Sequence, residues 1–197
     1  MRLVLASGSS IRAQLLENAG LTIEVDPSDV DERAVEAPLL KADFPPEDLA
    51  AVLAEAKAEN VSSRRSGDLV IGADQILAFE GQRRTKPEDM EAARRQLLEF
   101  SGKTHKLHSA VVLSKNGEAI WRSVSTARLT MRQLSPAFVG HYLANAGDTV
   151  LSSVGAYQLE GLGVQLFEKI EGDYFTILGL PLLPLLEQLR ELQVIEK

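Results

Sequence analysis

The sequence predicts an α/β fold, and three observations carry that prediction. The apolar run Leu69-Val70-Ile71 meets Gly72-Ala73-Asp74-Gln75, which reads as a buried strand ending in a small-residue opening. In open α/β sheets ligands gather outside the carboxyl ends of the strands. Leu3-Val4-Leu5-Ala6 reads as another buried strand, and Ser7-Gly8-Ser9-Ser10 as a tight loop that opens a helix. His105 to Leu113 and Ala119 to Gln133 are extended segments of similar character on either side of Lys115-Asn116-Gly117-Glu118, an Asn-Gly hairpin signal, and together suggest the spine of a second lobe. Asp74 is where chemistry is expected; the bland alternative is a strand-end Asp that caps a turn.

Composition sets the outer bounds. A chain of 197 residues, 45% apolar and 25% charged, buries a sizeable core and sits near the average for soluble globular proteins. Its net charge of -7 argues against general affinity for nucleic-acid backbones, which depends on many phosphate-neutralising Lys and Arg, while leaving room for a local cationic pocket. Without cysteine there is no disulfide, thiolate zinc site or cysteine nucleophile. Met1 to Ala6 is too short an apolar run for a signal peptide, and no stretch reaches the roughly 20 apolar residues of a spanning helix, so a soluble cytoplasmic protein is expected.

Taken in order, the first strand and its hydroxyl-rich loop lead into a helix from Ile11 to Ala19, stopped by Gly20. Strand, small loop and helix N-terminus is an arrangement that cradles phosphate, because free N–H groups and the positive helix end share one spot. Arg12 lies in the first turn, where a cation opposes the helix dipole; it either serves an anion or faces solvent. Thr22 to Val25 alternates like a short strand. Pro27 to Glu32 then places Asp29, Asp31 and Glu32 in a loop, a set that suits Mg²⁺ or, equally, a solvated turn with a helix cap.

Pro45-Pro46-Glu47-Asp48 opens a long helix to about Ser63, with Leu49, Val52, Leu53 and Ala56 on its apolar face. Lys57 follows near that face and either turns toward the sheet or snorkels along the surface. After Asp74, Ile76 to Phe79 continues extended into a turn at Glu80-Gly81-Gln82. The basic loop Arg83 to Pro87, in which Pro87 keeps Lys86 out of helical geometry, precedes a helix from Glu88 to Phe100.

Trp121 is expected to pack within the hairpin. His105 and His108, three apart and on opposite faces of a strand, read as solvated histidines and not as a metal pair. Ser135-Pro136 starts a helix to about Ala146. Glu160 stands among Gly155, Gly161 and Gly163, which allow close backbone approach. Val164 to Phe167 reads as a strand, Gly172 to Phe175 as a loop, and Pro181 to Leu192 as a closing helix.

Together these pieces resemble the Maf family of nucleotide pyrophosphatases across essentially the whole chain. The resemblance rests on Leu5 to Arg12, Pro27 to Glu32, Gly72-Ala73-Asp74-Gln75, Lys86-Pro87, Ser101-Gly102-Lys103-Thr104, Glu160-Gly161-Leu162-Gly163 and Gly179-Leu180-Pro181; their order and spacing are specific where each alone is weak. It implies a single domain over residues 1–197, with a mixed central sheet in two lobes and a nucleotide cleft between them, as in the inosine-triphosphate pyrophosphatases. It also implies cleavage of a nucleoside triphosphate to monophosphate and pyrophosphate with a divalent cation, Mg²⁺ or Mn²⁺. By the same resemblance Asp74 takes the position of the proton acceptor, and Ser7, Arg12, Glu32, Lys57 and Lys86 fall on positions of phosphate and metal contacts, with Glu32 and Asp74 as the metal set. These residue types suit a reaction that asks mainly for positioning and neutralisation of phosphate charge. No residue need act as a covalent nucleophile, so water is expected to attack the α-phosphorus directly, with Asp74 as either base or metal ligand.

Three positions bear on the base. The dTTP/UTP pyrophosphatases of this family typically carry two arginines in the opening loop, Thr after the catalytic Asp and Gln before Gly-Leu-Gly; this chain has Ile11-Arg12, Gln75 and Glu160 there. Gln75 and Glu160 are similar to the 7-methyl-GTP group. Guanine offers two donors, N1–H and N2–H, that the oxygens of Glu160 can accept together, a pairing worth roughly 1–3 kcal/mol by analogy with base readout in DNA. Ile11 departs from the Trp of that group and lacks an aromatic face for a cationic methylated base. The rival readings are a dTTP/UTP pyrophosphatase and a non-catalytic nucleotide-binding cell-division regulator; a homodimer is the expected assembly.

Overall fold

The computed structural model describes residues 2–196. Its sheet has seven strands among the described residues, β1 (Leu3–Leu5), β2 (Ile23–Val25), β3 (Leu69–Phe79), β4 (Gln82–Arg84), β5 (Thr104–Lys115), β6 (Glu118–Met131) and β7 (Phe167–Glu171), in the order β2-β1-β3-β5-β6-β7 with β4 paired to β3. The helices are α1 (Ser10–Asn18), α2 (Glu32–Lys41), α3 (Pro46–Arg64), α4 (Met90–Phe100), α5 (Pro136–Ala146), α6 (Tyr174–Ile177) and α7 (Leu182–Glu191). β1 runs parallel to β2 and β3, whereas β4 and β7 are antiparallel to their partners, so the α/β fold with a mixed central sheet is as the sequence led one to expect. Among the described residues no helix is long and apolar enough to cross a membrane.

The chain forms two compact units. The first comprises the residues up to Gln75, His108–Ser125 and those from Tyr174 onward; the second comprises Ile76–Leu107 and Thr126–Asp173. In the first, the period-2 geometry of strands sorts the side chains. Leu3, Leu5, Ile71 and Ala73 meet Leu15 and Leu16 of α1 and Leu182, Leu185 and Leu189 of α7. Val4, Ala6 and Val70 face the other way and meet Val61 of α3. Both faces of β1 and β3 are covered, which is why these strands read as unbroken apolar runs. Trp121 packs against the first cluster, as expected.

α3 begins with Pro46 and the acids Glu47 and Asp48 and ends with Arg64, in keeping with the helix dipole. Gly72 lies on the α3 face of β3, and an added Cβ there would collide with the Ala54 carbonyl oxygen and lie 2.7 Å from the Ala58 Cβ. The end of α3 is tied to the strand ends by ion pairs: Arg65 with Glu24 and Asp26, Arg64 with Asp26, and Arg2 with Asp68. Hydrogen bonds from Arg64 and Arg65 hold the Asp26 carboxyl below its ordinary range.

The second unit is built on rings. Phe79 packs on Phe100 with centroids 4.5 Å apart, Phe100 stacks on His105 at 5.0 Å, and Tyr157 meets Phe167 edge-on at 4.8 Å. His105 Nε2 and the Tyr157 hydroxyl share a hydrogen bond of 2.7 Å, and Nδ1 has no partner. Burial lowers His105 from its ordinary value to about 4 and pushes the Tyr157 phenol up.

Several expectations are corrected. Residues 32–41 form helix α2: the Asp31 side chain accepts from the Ala34 amide as N-cap, and the helix continues through Pro38. Gln82–Arg84 forms strand β4, not a turn and loop. Val164 falls in a 3₁₀ segment, Leu162–Leu166, and the strand is Phe167–Glu171, while Tyr174 and Phe175 belong to the short helix α6. His105 and His108 are buried, at 1% and 4% exposure, and not solvated; the rings of Phe100, Tyr157 and Phe167 pack around His105.

Two measurements test this packing. Gly72→Ala is expected to cost roughly 1–3 kcal/mol in denaturant unfolding, since β3 and α3 must separate to admit the methyl. For His105, the unfolded chain takes up a proton near pH 6.5 and the folded chain only near 4, so stability is full above pH 6.5 and falls as pH drops between those values. Between pH 7.5 and 4.5 the loss is expected to be about 2.5 kcal/mol, and His105→Phe should remove that share of the pH dependence.

Candidate active site

The alternation that builds the first unit also aims its polar groups. Residues 70, 72 and 74 share the α3 face of β3, so Asp74 looks toward α3, while Ala73 and Gln75 look toward α1 and α6. On α3, Lys57 falls three residues from the buried Ala54 and four from the buried Leu53 and Val61, and therefore lies on the packed side. The contact at Gly72 brings the helix close enough for Lys57 Nζ to donate to Asp74 Oδ1 at 2.6 Å. The same ammonium lies 2.8 Å from Glu32 Oε1. Of the two readings open for Lys57 in the sequence, its turn toward the sheet is the one found.

Glu32 is the first residue of α2, and the loop before that helix is held along α3. Ser28 Oγ donates to Asn60 Oδ1 at 3.1 Å, and Arg64 donates to the Pro27 carbonyl at 3.1 Å. Lys57, Asn60 and Arg64 follow at helical spacing, so one face of α3 positions both the loop and the carboxylate it delivers.

Arg12 is half-buried in the first turn of α1. Its Nη1 donates to Ser7 Oγ at 3.1 Å and to the Ala73 carbonyl at 3.0 Å, and its Nε donates to the Gly179 carbonyl at 2.8 Å. None of these acceptors carries a charge. Burial lowers the guanidinium from its ordinary range, and the charges of Asp74 and Glu32 work against that shift. Asp74 is itself buried, at 7% exposure. Burial pushes its carboxyl up, the charges of Lys57 and Arg12 pull it down, and Glu32 adds to the upward push. A carboxylate raised by burial beside fixed cations is the setting in which an acid is tuned toward base catalysis.

The structure thus brings together Ser7, Arg12, Glu32, Lys57, Asp74 and Gln75 within the first unit. Ile11 is half-buried beside Arg12 on α1. Lys86 and Glu160 belong to the second unit: Lys86 is exposed in the extended stretch after β4, and Glu160 is exposed just before Gly161. Gln75 Nε2 donates to Ser109 Oγ at 2.9 Å and to the carbonyls of Thr176 and Ile177 at 3.1 and 3.0 Å, while Ser109 donates to the Thr176 carbonyl at 2.7 Å. Sequence reasoning missed Ser109 and the Gly179 carbonyl, and it placed Gly72 in a small-residue opening without its close contact with α3. A small residue in an otherwise apolar strand was the available signal for Ser109; a backbone acceptor leaves none.

Among the described residues no group of three or more His, Asp or Glu side chains forms a ready-made metal cage. Glu32 and Asp74 nonetheless converge on one cation, the Lys57 ammonium. Two carboxylates beside the cationic Lys57 and Arg12 are the kind of donors Mg²⁺ takes when substrate phosphates complete its shell, so the residues present fit such an ion.

The chain matches the Maf-like protein family over residues 2–192. It is 58% identical over 196 residues to a protein of Brucella suis biovar 1 (strain 1330) named 7-methyl-GTP pyrophosphatase, covering 100% of this chain and 98% of the relative. To a 7-methyl-GTP pyrophosphatase of Mesorhizobium japonicum it is 58% identical, covering 99% and 98%. A nucleoside triphosphate pyrophosphatase of Caulobacter vibrioides is 53% identical, with 94% and 93% covered. The protein, whose candidate site is centred on Asp74 midway along β3, belongs to the Maf-like family.

Proposed function

We propose that the protein hydrolyses the α–β phosphate bond of a nucleoside triphosphate, releasing monophosphate and pyrophosphate, and that 7-methyl-GTP is its preferred substrate. The observation that carries the reading is the buried Asp74 carboxylate held at 2.6 Å by Lys57 and flanked by Arg12 and Glu32. The names of the close relatives point to the same chemistry. Housecleaning of modified nucleotides in the cytoplasm, by a homodimer, completes the proposal.

In this reading Arg12 and Lys57, joined by Lys86, neutralise charge on the phosphate oxygens, and Ser7 fixes the guanidinium fork that meets them. Asp74 accepts a proton from the water that attacks the α-phosphorus, so the solvent oxygen leaves in the monophosphate and the pyrophosphate departs unlabelled. Glu32 and Asp74 would hold Mg²⁺ or Mn²⁺, which supplies further charge neutralisation at the phosphates. Glu160, exposed before Gly161, would accept from the two donors on the guanine edge. Gln75 would support nucleotide binding through the α6 turn without itself reading the base, because its amide nitrogen is engaged by Ser109 and the carbonyls of Thr176 and Ile177.

Pyrophosphate release tests the assignment. Asp74→Asn is expected to lower kcat by about 10²–10⁴ while nucleotide affinity, read by calorimetry, stays within a few-fold; unchanged turnover would remove Asp74 from the mechanism. Across 7-methyl-GTP, GTP, dTTP, UTP and CTP, the first should be turned over best. Glu160→Gln should then narrow the guanine-to-pyrimidine ratio by about one to two decades. Gln75→Ala should raise KM for all five nucleotides alike, and a changed ratio would instead make Gln75 a direct reader of the base.

A further inference from the structure

Lys57 stands where a divalent cation would be expected. Its ammonium lies 2.6 Å from Asp74 and 2.8 Å from Glu32, with only 12% of its side chain exposed, so both carboxylates already share one bound positive charge. Counting Arg12, the cluster holds two cations and two anions and is neutral as it stands. A free dication approaching the same oxygens meets a like charge bound to them and gains nothing to which that charge can be transferred. A nucleotide bound to its metal arrives as a net anion, and its phosphate oxygens are acceptors for all three ammonium protons.

We propose that Lys57 is a tethered counter-ion that reserves the Glu32–Asp74 pair until nucleotide is present, so that the metal enters with the nucleotide and not ahead of it. The inference rests on the reading of Glu32 and Asp74 as metal-holding residues given above. The fold supplies what the exchange requires. The backbone of α3 is fixed against β3 at Gly72, whereas the charge sits at the end of a flexible four-carbon stem, so the head group can pass from carboxylates to phosphate while the helix stays in place. Asp74, freed of its ammonium by that exchange, is then available to the metal or to the attacking water. The device also keeps a buried carboxylate paired throughout, first by Lys57 and then by the incoming ion, which avoids the cost of an isolated buried charge.

Mn²⁺ titration of the metal-free protein at pH 8, followed by electron paramagnetic resonance, tests the proposal without recourse to activity. In the absence of nucleotide, Lys57→Gln should bind Mn²⁺ at least tenfold more tightly than the wild type, and Lys57→Arg, which keeps the charge, should bind as weakly as the wild type. Adding a non-hydrolysable α,β-methylene analogue of GTP should raise wild-type affinity for Mn²⁺ toward that of Lys57→Gln. Equal affinity in wild type and Lys57→Gln, or tight binding by Lys57→Arg, would overturn the counter-ion role. Glu32→Gln introduced into Lys57→Gln separates the two readings: if it leaves Mn²⁺ affinity unchanged, the assignment of Glu32 to the metal is what fails. Thermal melts of each variant in EDTA establish that the comparison is between folded proteins.

Discussion

The contact between α3 and β3 at Gly72 is the constraint on which the rest of the site depends. With no side chain at that position, the helix backbone comes so near the strand that a single methyl would strike the Ala54 carbonyl. From that distance one face of α3 reaches three targets in turn: Lys57 meets Asp74, Asn60 meets Ser28, and Arg64 meets Asp26 and the Pro27 carbonyl. The helix is therefore both a wall of the core and the jig that sets the carboxylates. Its packed side is mostly alanine where it crosses the strand, so close approach and polar delivery are obtained from the same residues without leaving a void.

Two charges of the site, the half-buried Arg12 and the buried Asp74, have different partners and divide the electrostatic work. Arg12 is surrounded by neutral oxygens, from Ser7, Ala73 and Gly179, which orient the guanidinium without cancelling its charge. Asp74 is met directly by a cation, which compensates its burial. A cation held by neutral oxygens keeps its attraction for an anion from outside, and the positive end of α1 adds to that attraction. The carboxylate, by contrast, already has a cation against it.

Much of this was legible in the sequence, for identifiable reasons. β1 and β3 are covered on both faces, so their apolar runs stand out, whereas the small residues after Ile71, which suggested a strand end, lie midway along β3, which continues to Phe79. α3 announced itself through Pro46 and its acidic first turn. α2 did not, because Pro38 breaks its sequence signal, though not the helix, and Glu36 is its one buried residue. β7 is mostly charged and lies at an edge of the sheet, so it lacks the apolar signature that Val164 to Phe167 displayed misleadingly one step earlier. His105 looked like a surface residue because the rings that bury it, Phe100, Tyr157 and Phe167, come from other segments. The roles of Ser109 and the Gly179 carbonyl are likewise properties of long-range packing, and local pattern does not contain them.

The first unit is assembled from three separated stretches of chain, and its polar set is stitched across them: Arg12 is held by the carbonyl of a residue 167 positions later, and Gln75 by carbonyls about a hundred positions on. During synthesis the strand bearing Asp74 emerges long before the segment that orients Arg12. Contacts of such sequence separation form late and cost loop entropy. A nascent or truncated chain ending before α6 would carry every charged group of the site but not the carbonyls that align Arg12 and Gln75, so that alignment coincides with completion of the fold.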